Sequence, residues 1–451
     1  MIKIIRVSIN GRYVFKKIIT DNHGKEVSSV VIDMPVIQHA DAARFIYFVP
    51  YDNEMQVIVP LYNYLNHHLR YSCFNTRRSI AGKIRMFYLF CELYNYKAHE
   101  MNISKIAEYI SFLRDESIDV GTTHNSTYKS NKTINMYLGA LRGYFSYAGI
   151  SCDMLFDFHT VSNIAMYQDG SRTVEKRDKY TMNLKVVTNV EAEAPKYISL
   201  EQFKMVLEYY KDDSTESLIV LLMWMYGMRI GEVLNLTLED LVIGKENGKT
   251  NYRLVVRNRL SSNPRNQASK GRLHPVDKSM YKSSDYKRSA RNIIITKKTY
   301  DLLFSYINDI HMRMLDEKPE TYILSLADKV TSNTSIDENH YVFLNRFGRK
   351  VNRRTLEQSV RKCFIACDIG VDVDKKNLGL LHRFRHGFAM YNKYDAPIKM
   401  DNMQLQRAMG HRSLSSTAVY DNPTIEMIAD ERQRFEEQLY KDEKIKELIK
   451  W

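Results

Sequence analysis

The spacing of apolar residues changes twice along the chain. Over residues 1–60, "MIKIIRVSI", "YVFKKII", "SSVVIDMPVI" and "ARFIYFVP" are rich in β-formers, with turn-forming "NG" and "NHGKE" between some of them. This predicts a small β-rich N-terminal region. Over residues 61–155 the period lengthens. In "VPLYNYLNHHLRY", "SIAGKIRMFYLFCELYNY", "ISKIAEYISFLRDE" and "NKTINMYLGALRGYFSYAG" apolar positions recur three and four apart, the mark of amphipathic helices. A four-helix domain is expected, with Phe87, Tyr88, Phe90 and Tyr144 in its core, Thr76 as an N-cap and "SIDVGTTHNSTYKSN" as a loop.

Residues 156–197 are polar with no sustained period and predict an extended linker. A larger domain follows over 198–451. Ser199 with Glu201 and Gln202 signals a helix start, and "SLIVLLMWMYGM" is a buried helix too short to span a bilayer. After an acidic exit, "TLEDLV", come two strands, "NYRLVVRNRL" and "ARNIIITKK", separated by a long polar insertion. Further helical patterns follow, and a charged tail from Ile425 predicts one last docking or surface helix.

Length and charge sharpen this outline. At 451 residues the chain exceeds one ordinary core, and 44% hydrophobic content suffices for several. A formal charge of +13 favours a polyanionic partner, without separating nucleic acid from an anionic membrane. The basic residues Arg77, Arg78, Lys83, Arg85, Lys132 and Arg142 of the helical domain are candidates for phosphate contacts. Five scattered cysteines fit a reducing compartment, and the N-terminus has no secretory pattern, so a cytoplasmic protein is expected.

Three stretches carry chemistry. In "YGMRIGEVLNLTLEDL", Arg229 follows Gly227 at the end of the buried helix, with Glu232 three residues on to orient it. A guanidinium is a planar fork suited to a phosphodiester oxygen. If Arg229 and Arg385 converge, they clamp one phosphate and neutralise the charge of a pentacoordinate transition state. A tyrosine nucleophile there needs a positive environment and a proton acceptor, a role His382 could fill. Cys363 with Cys367 and His382 with His386 also permit a "C-x3-C…H-x3-H" zinc site, but the spacing is loose and the cysteines fall on an apolar helix pattern. No glycine-rich phosphate loop or paired carboxylates call for a nucleotide or metal, so no cofactor is expected.

With "LHRFRHGFAMY" and "MGHRSLSSTAVY", these stretches resemble the boxes of the tyrosine recombinase (phage-type integrase) family, especially its transposon- or mobile-element-encoded members. The resemblance matches Arg229 and Glu232 to Gly-x-Arg-x-x-Glu, and His382, Arg385 and His386 to His-x-x-Arg-His. It matches Met409-Gly410-His411 to Leu-Gly-His, nine positions before Tyr420. It implies a multidomain, mainly α fold: a helical, SAM-like core-binding domain and a mixed α/β catalytic domain, preceded here by the β-rich region. The implied catalytic set is Tyr420, Arg229, Arg385, His382, His411 and a lysine in the insertion, with Glu232 and His386 supporting. Among Lys270, Lys278, Lys282 and Lys287, the piece "NPRNQASKGR" favours Lys270 as the acid for the leaving 5′ oxygen.

The resemblance also implies DNA cutting and rejoining through a 3′-phosphotyrosyl link, without ATP or metal. Its implied partners are double-stranded recombination sites and an accessory directionality factor, and its implied assembly is a homotetramer on synapsed DNA and a monomer when free. No membrane is involved. Integration, excision or transposition of a mobile element is the expected role. A chromosome-dimer or telomere resolvase, a topoisomerase-like enzyme and a non-catalytic DNA-binding relative are the alternatives.

Overall fold

In the computed structural model, the N-terminal apolar alternation becomes five strands: Ile2–Ile9 (β1), Arg12–Thr20 (β2), Glu26–Ile32 (β3), Ile37–Ala42 (β4) and Phe45–Pro50 (β5). Described are residues 2–9, 12–33, 35–42, 45–114, 121–124, 129–166, 172–186, 195–246, 248–260, 272–273, 275, 277–327, 338–371, 379–421 and 433. The chain divides into two units, Met1–Val187 and Thr188–Trp451.

In the first unit β1 pairs with β2 and β2 with β3, all antiparallel, while β4 and β5 form a separate hairpin. Asp21 organises the turn after β2 by accepting the amides of His23 and Lys25, each at 2.9 Å. The expected loop between the third and fourth helical patterns contains a strand, Gly121–His124 (β6), which pairs in parallel with β1. "GTTH" has no apolar alternation of its own. It is a strand because β1 offers an edge, a partner distant in sequence.

The expected helices are present as Phe74–Tyr94, Ile103–Arg114 and Asn131–Ala148, preceded by a short helix from Val59 that continues as a π turn to His68. Cys73, not Thr76, occupies the N-cap of the long helix, and Thr76 sits inside its first turn. Phe87, Phe90 and Tyr144 are fully buried as expected. Among the described residues of the β-rich region, Ile4, Phe15, Ile46 and Phe48 share one cluster with the helices. Short strands bury too little surface to stand alone. Asn66, itself buried, joins the two parts by pairing its amide in both directions with the backbone of Phe48, each at 2.8 Å.

The expected linker is also different. Phe158–Met166 (β7) and Arg172–Tyr180 (β8) form an antiparallel hairpin, and the chain beyond it is held to the Asn131–Ala148 helix. Asn135 exchanges hydrogen bonds with the backbone of Leu184 at 2.8 and 2.9 Å, and Asn131 donates to Lys185. A polar hairpin has no periodic signature strong enough to read from sequence, since its pairing is mostly backbone to backbone.

The second unit is built on the Ser214–Met225 helix, which is apolar on nearly every side and therefore central. Ser199 and Gln202 form a full capping box at the start of Leu200–Tyr209. The acidic exit is a short turn leading into a third strand. Leu241–Glu246 (β9), Lys249–Val256 (β10) and Arg291–Ile295 (β11) make an antiparallel sheet in the order β11-β10-β9. Part of the polar insertion packs beyond the end of β10, where Tyr281 and Tyr286 are buried with Leu260. Helices Lys297–Glu317, Arg353–Ala366, His382–Met390 and Asn402–Met409 complete the unit. The His382–Met390 helix passes the central helix so closely that a Cβ on Gly387 would lie 2.6 Å from Trp224 Nε1. The expected C-terminal helix lies outside the described residues, apart from Gln433. No described helix is long and apolar enough to cross a membrane.

Candidate active site

The central helix ends at Met225, and the chain reverses through Gly227, whose φ of +58° suits glycine. A Cβ there would also lie 2.6 Å from the Phe388 ring. The turn sets Arg229 in extended backbone at the start of the single helical turn Ile230–Val233. Glu232, fully buried, receives the Arg229 amide at 2.9 Å and its Nη1 at 2.9 Å. Its second partner is Arg291, whose Nη1 stands 3.1 Å from Oε2. Burial opposes the Glu232 charge, but Arg291 and Arg229 outweigh it and hold the carboxyl below its ordinary range.

Arg385, buried on the His382–Met390 helix, completes a ring of guanidiniums. Burial first, then the charge of Arg229, lowers its pKa to about 9. All three arginines meet the C-terminal end of the Asn402–Met409 helix. Arg291 donates to the carbonyl of Ala408, Arg385 to Met409 at 2.8 Å and Arg229 to Gly410 at 3.3 Å. Those carbonyls have no partners within their helix and form the negative end of its dipole. Gly410, at φ +63°, turns the chain out of the helix, and a Cβ on it would lie 2.8 Å from the Arg291 side chain. Two of these guanidiniums, those of Arg229 and Arg291, share the buried Glu232 carboxylate, and the third, Arg385, is held by backbone carbonyls. The excess positive charge makes this an anion site.

Tyr420 lies on the turn Ala418–Asp421, 3% exposed among Phe388, Ala389, Met390, Leu405 and Met409. Its hydroxyl is 2.8 Å from His386 Nδ1, and its carbonyl accepts from Tyr394 at 2.8 Å. Burial raises the phenol to about 12, although Arg385 and Arg229 pull the other way. His411 turns its Nδ1 to the buried Thr417 hydroxyl at 2.9 Å, with its ring parallel to that of Tyr420 at 6.3 Å. Burial and the arginines lower His411 to about 4.

Residues 196–426, just over half the chain, match the model of the phage integrase family. The chain belongs to the phage integrase family. That family carries tyrosine-recombinase-type DNA recombination and integration. Among solved structures the chain is similar to the XerA recombinase, at 16% identity and TM-score 0.35, covering 84% of this chain and 98% of that one. It is similar to the XerH recombinase bound to palindromic difH substrate, at 18% identity and TM-score 0.45 over 80% of each chain. It is also similar to the Tn1549 transposon integrase in complex with circular intermediate DNA, at 16% identity and TM-score 0.44, covering 83% and 98%. At such values these are distant likenesses of fold and say nothing of residue roles. No curated protein matches the chain significantly.

In this integrase-family chain, Arg229, Glu232, Arg385, His386, His411 and Tyr420 come together in one cluster. His382 lies exposed at the first position of its helix, its ring 5.9 Å from that of His386. The tyrosine hydroxyl meets His386, one turn on from His382, the histidine expected to serve it. Lys270 lies outside the described residues, while Lys278, Lys282 and Lys287 are exposed. Arg272, two positions beyond Lys270 in the middle of the insertion, feels the charges of Glu232 and Arg229 and so lies near them.

Three residues were not anticipated: Arg272, Thr417 and Arg291. For Arg291 a signal existed, because alternation along "RNIII" puts it on the inward face with Ile293 and Ile295.

The candidate phosphate contacts divide. Arg77 is buried against the rings of Phe45 and Phe48, at 4.2 and 5.0 Å. Arg142, also buried, donates to Leu155 O at 2.6 Å and Asn183 at 2.9 Å and lies over the Tyr180 ring. Both serve the fold, which corrects their assignment to a DNA-facing surface. Arg78 and Lys132 are exposed, and Lys83 and Arg85 are half-buried. Among the described residues no cluster of three or more His, Cys, Asp or Glu is arranged to hold a metal ion.

Proposed function

We propose that the protein is a site-specific recombinase that cuts and rejoins DNA through a 3′-phosphotyrosyl intermediate at Tyr420, in the integration, excision or transposition of a mobile element. The observation that carries this reading is the tyrosine hydroxyl hydrogen-bonded to His386 and within the field of Arg385 and Arg229, the second of which is held with Arg291 on the buried Glu232 carboxylate. Arg229 and Arg385 hold the scissile phosphate and oppose the charge that grows on its oxygens in the transition state. His411 donates to the same phosphate. Tyr420 attacks phosphorus, and the 5′ oxygen leaves with a proton from Lys270. The phosphodiester energy stays in the covalent link, so rejoining to a partner strand needs neither ATP nor a metal.

Double-stranded recombination sites are the substrate, and a homotetramer on two synapsed duplexes is the working assembly. The exposed Arg78 and Lys132 are the better placed of the candidate backbone contacts in the first unit. The mobile-element role is favoured over chromosome-dimer resolution by the additional N-terminal strands and the long insertion between β10 and β11.

The test uses nicked suicide duplexes made from DNA flanking the gene. A covalent protein–DNA adduct is expected with the wild type and none with Tyr420→Phe. Tight binding of those duplexes with no adduct from the wild type would refute the enzymatic reading.

A further inference from the structure

We propose that His386 is the catalytic residue that takes the phenolic proton of Tyr420 as the tyrosine attacks phosphorus. This rests on Tyr420 being the nucleophile. His386 Nδ1 is 2.8 Å from the Tyr420 hydroxyl, the distance of a hydrogen bond along which a proton can pass. The phenol keeps its proton up to about pH 12, so it donates and Nδ1 carries the accepting lone pair.

Neither other histidine is so placed. His382 is exposed one turn earlier, and the Nδ1 of His411 is engaged by Thr417.

The groups facing His386 set its basicity. On its own helix these are His382 and Arg385; from the C-terminal turn comes Tyr420, and from the preceding turn His411. Burial, then His382 and Arg385, lower His386 to about 4, so it is neutral at ordinary pH, the form able to take a proton. A phosphodiester held by Arg229 and Arg385 brings a negative charge that opposes the effect of the guanidiniums. The imidazole then moves back toward its ordinary value of about 6.5. The base strengthens when the substrate is in place.

In the step itself, the Tyr420 oxygen–phosphorus bond forms as the phenolic proton moves to His386 Nδ1. The phosphorus–O5′ bond breaks, and O5′ leaves with a proton from the acid on the other side. Religation reverses this, and the imidazolium returns its proton to the departing phenolate.

The experiment compares the full-length wild type, His386→Asn and His386→Gln on two suicide duplexes. One is ordinary, and the other has sulfur in place of the bridging 5′ oxygen. A thiolate leaves without protonation, so sulfur relieves the need for an acid but not for a base. Either amide can accept a hydrogen bond from Tyr420 without taking its proton.

Both variants are expected to bind DNA as the wild type does and to form adduct about 10²–10⁴-fold more slowly on both substrates. The acid limb of the wild-type single-turnover rate should be absent in both. Adduct formation within several-fold of wild type would overturn the proposal, as would rescue by sulfur or an unchanged acid limb in a folded variant. Persistence of the adduct in Tyr420→Phe would instead overturn the nucleophile assignment, so the two failures are distinguishable.

Discussion

Replacing Glu232 by glutamine keeps its shape and removes the one negative charge that Arg229 and Arg291 share. Glu232 is fully buried, with hydrogen bonds of 2.9, 2.9 and 3.1 Å to those two residues. Removing one partner of a buried ion pair costs about 3–5 kcal/mol, because the remaining charge stays desolvated. For a unit of this size each kcal/mol is worth roughly 2–4 °C, so Glu232→Gln should melt about 6–20 °C below wild type.

The loss should depend on pH. The folded-state pKa of Glu232 is depressed, so its contribution is complete above the ordinary carboxyl value of about 4.3. That contribution is lost as pH falls through the depressed value, and the gap between variant and wild type should close there. The uncompensated guanidiniums should also bind anions more strongly, so added sulfate should raise the variant's melting temperature more than the wild type's. Thermal melts across pH and sulfate concentration measure all three effects. A variant melting within a degree of wild type at neutral pH, with no extra response to sulfate, would show that Glu232 does not hold the arginine cluster together.

Three further outcomes follow from burial, close approach and exposure. Gly387→Ala forces a methyl against Trp224 Nε1 at 2.6 Å and should cost at least about 1–3 kcal/mol in denaturant unfolding of the second unit. Arg142→Ala should destabilise the first unit by about 1.5–3 kcal/mol through its lost hydrogen bonds and leave the salt dependence of DNA binding unchanged. The exposed Lys132→Ala should do the reverse, with an unchanged melt and a salt slope about 0.9 smaller if Lys132 meets a phosphate, as a binding titration against salt will read.

Much of the site was legible because its pieces are local. Gly227, Arg229 and Glu232 lie within a single reversal of the chain, so their spacing already sets arginine and carboxylate side by side. Gly410 and the positions around it mark a helix end by a rule needing only neighbouring residues. The helices of the first unit were legible for the same reason, since a period of three and four reports a face. What could not be read depends on partners far along the chain. β6 exists because β1 has a free edge, and the β7–β8 hairpin because two polar segments find each other. Arg77 and Arg142 looked like surface cations, because charge alone does not reveal that aromatic rings and carbonyls will enclose it.

The sequence by itself determined the order and spacing of Arg229, Glu232, Arg385, His386, His411 and Tyr420. It could not determine which histidine serves the tyrosine. His382 and His386 are four apart and share one side of a helix, so periodicity treats them alike. Only the packing of the Tyr420 turn against Phe388, Ala389 and Met390 brings the hydroxyl to the second of them. Tertiary structure likewise drew Arg291 from a distant strand and turned the end of the Asn402–Met409 helix toward all three guanidiniums. Hydrogen bonds and ion pairs act over a few ångströms, and only folding brings residues so far apart in sequence within that range.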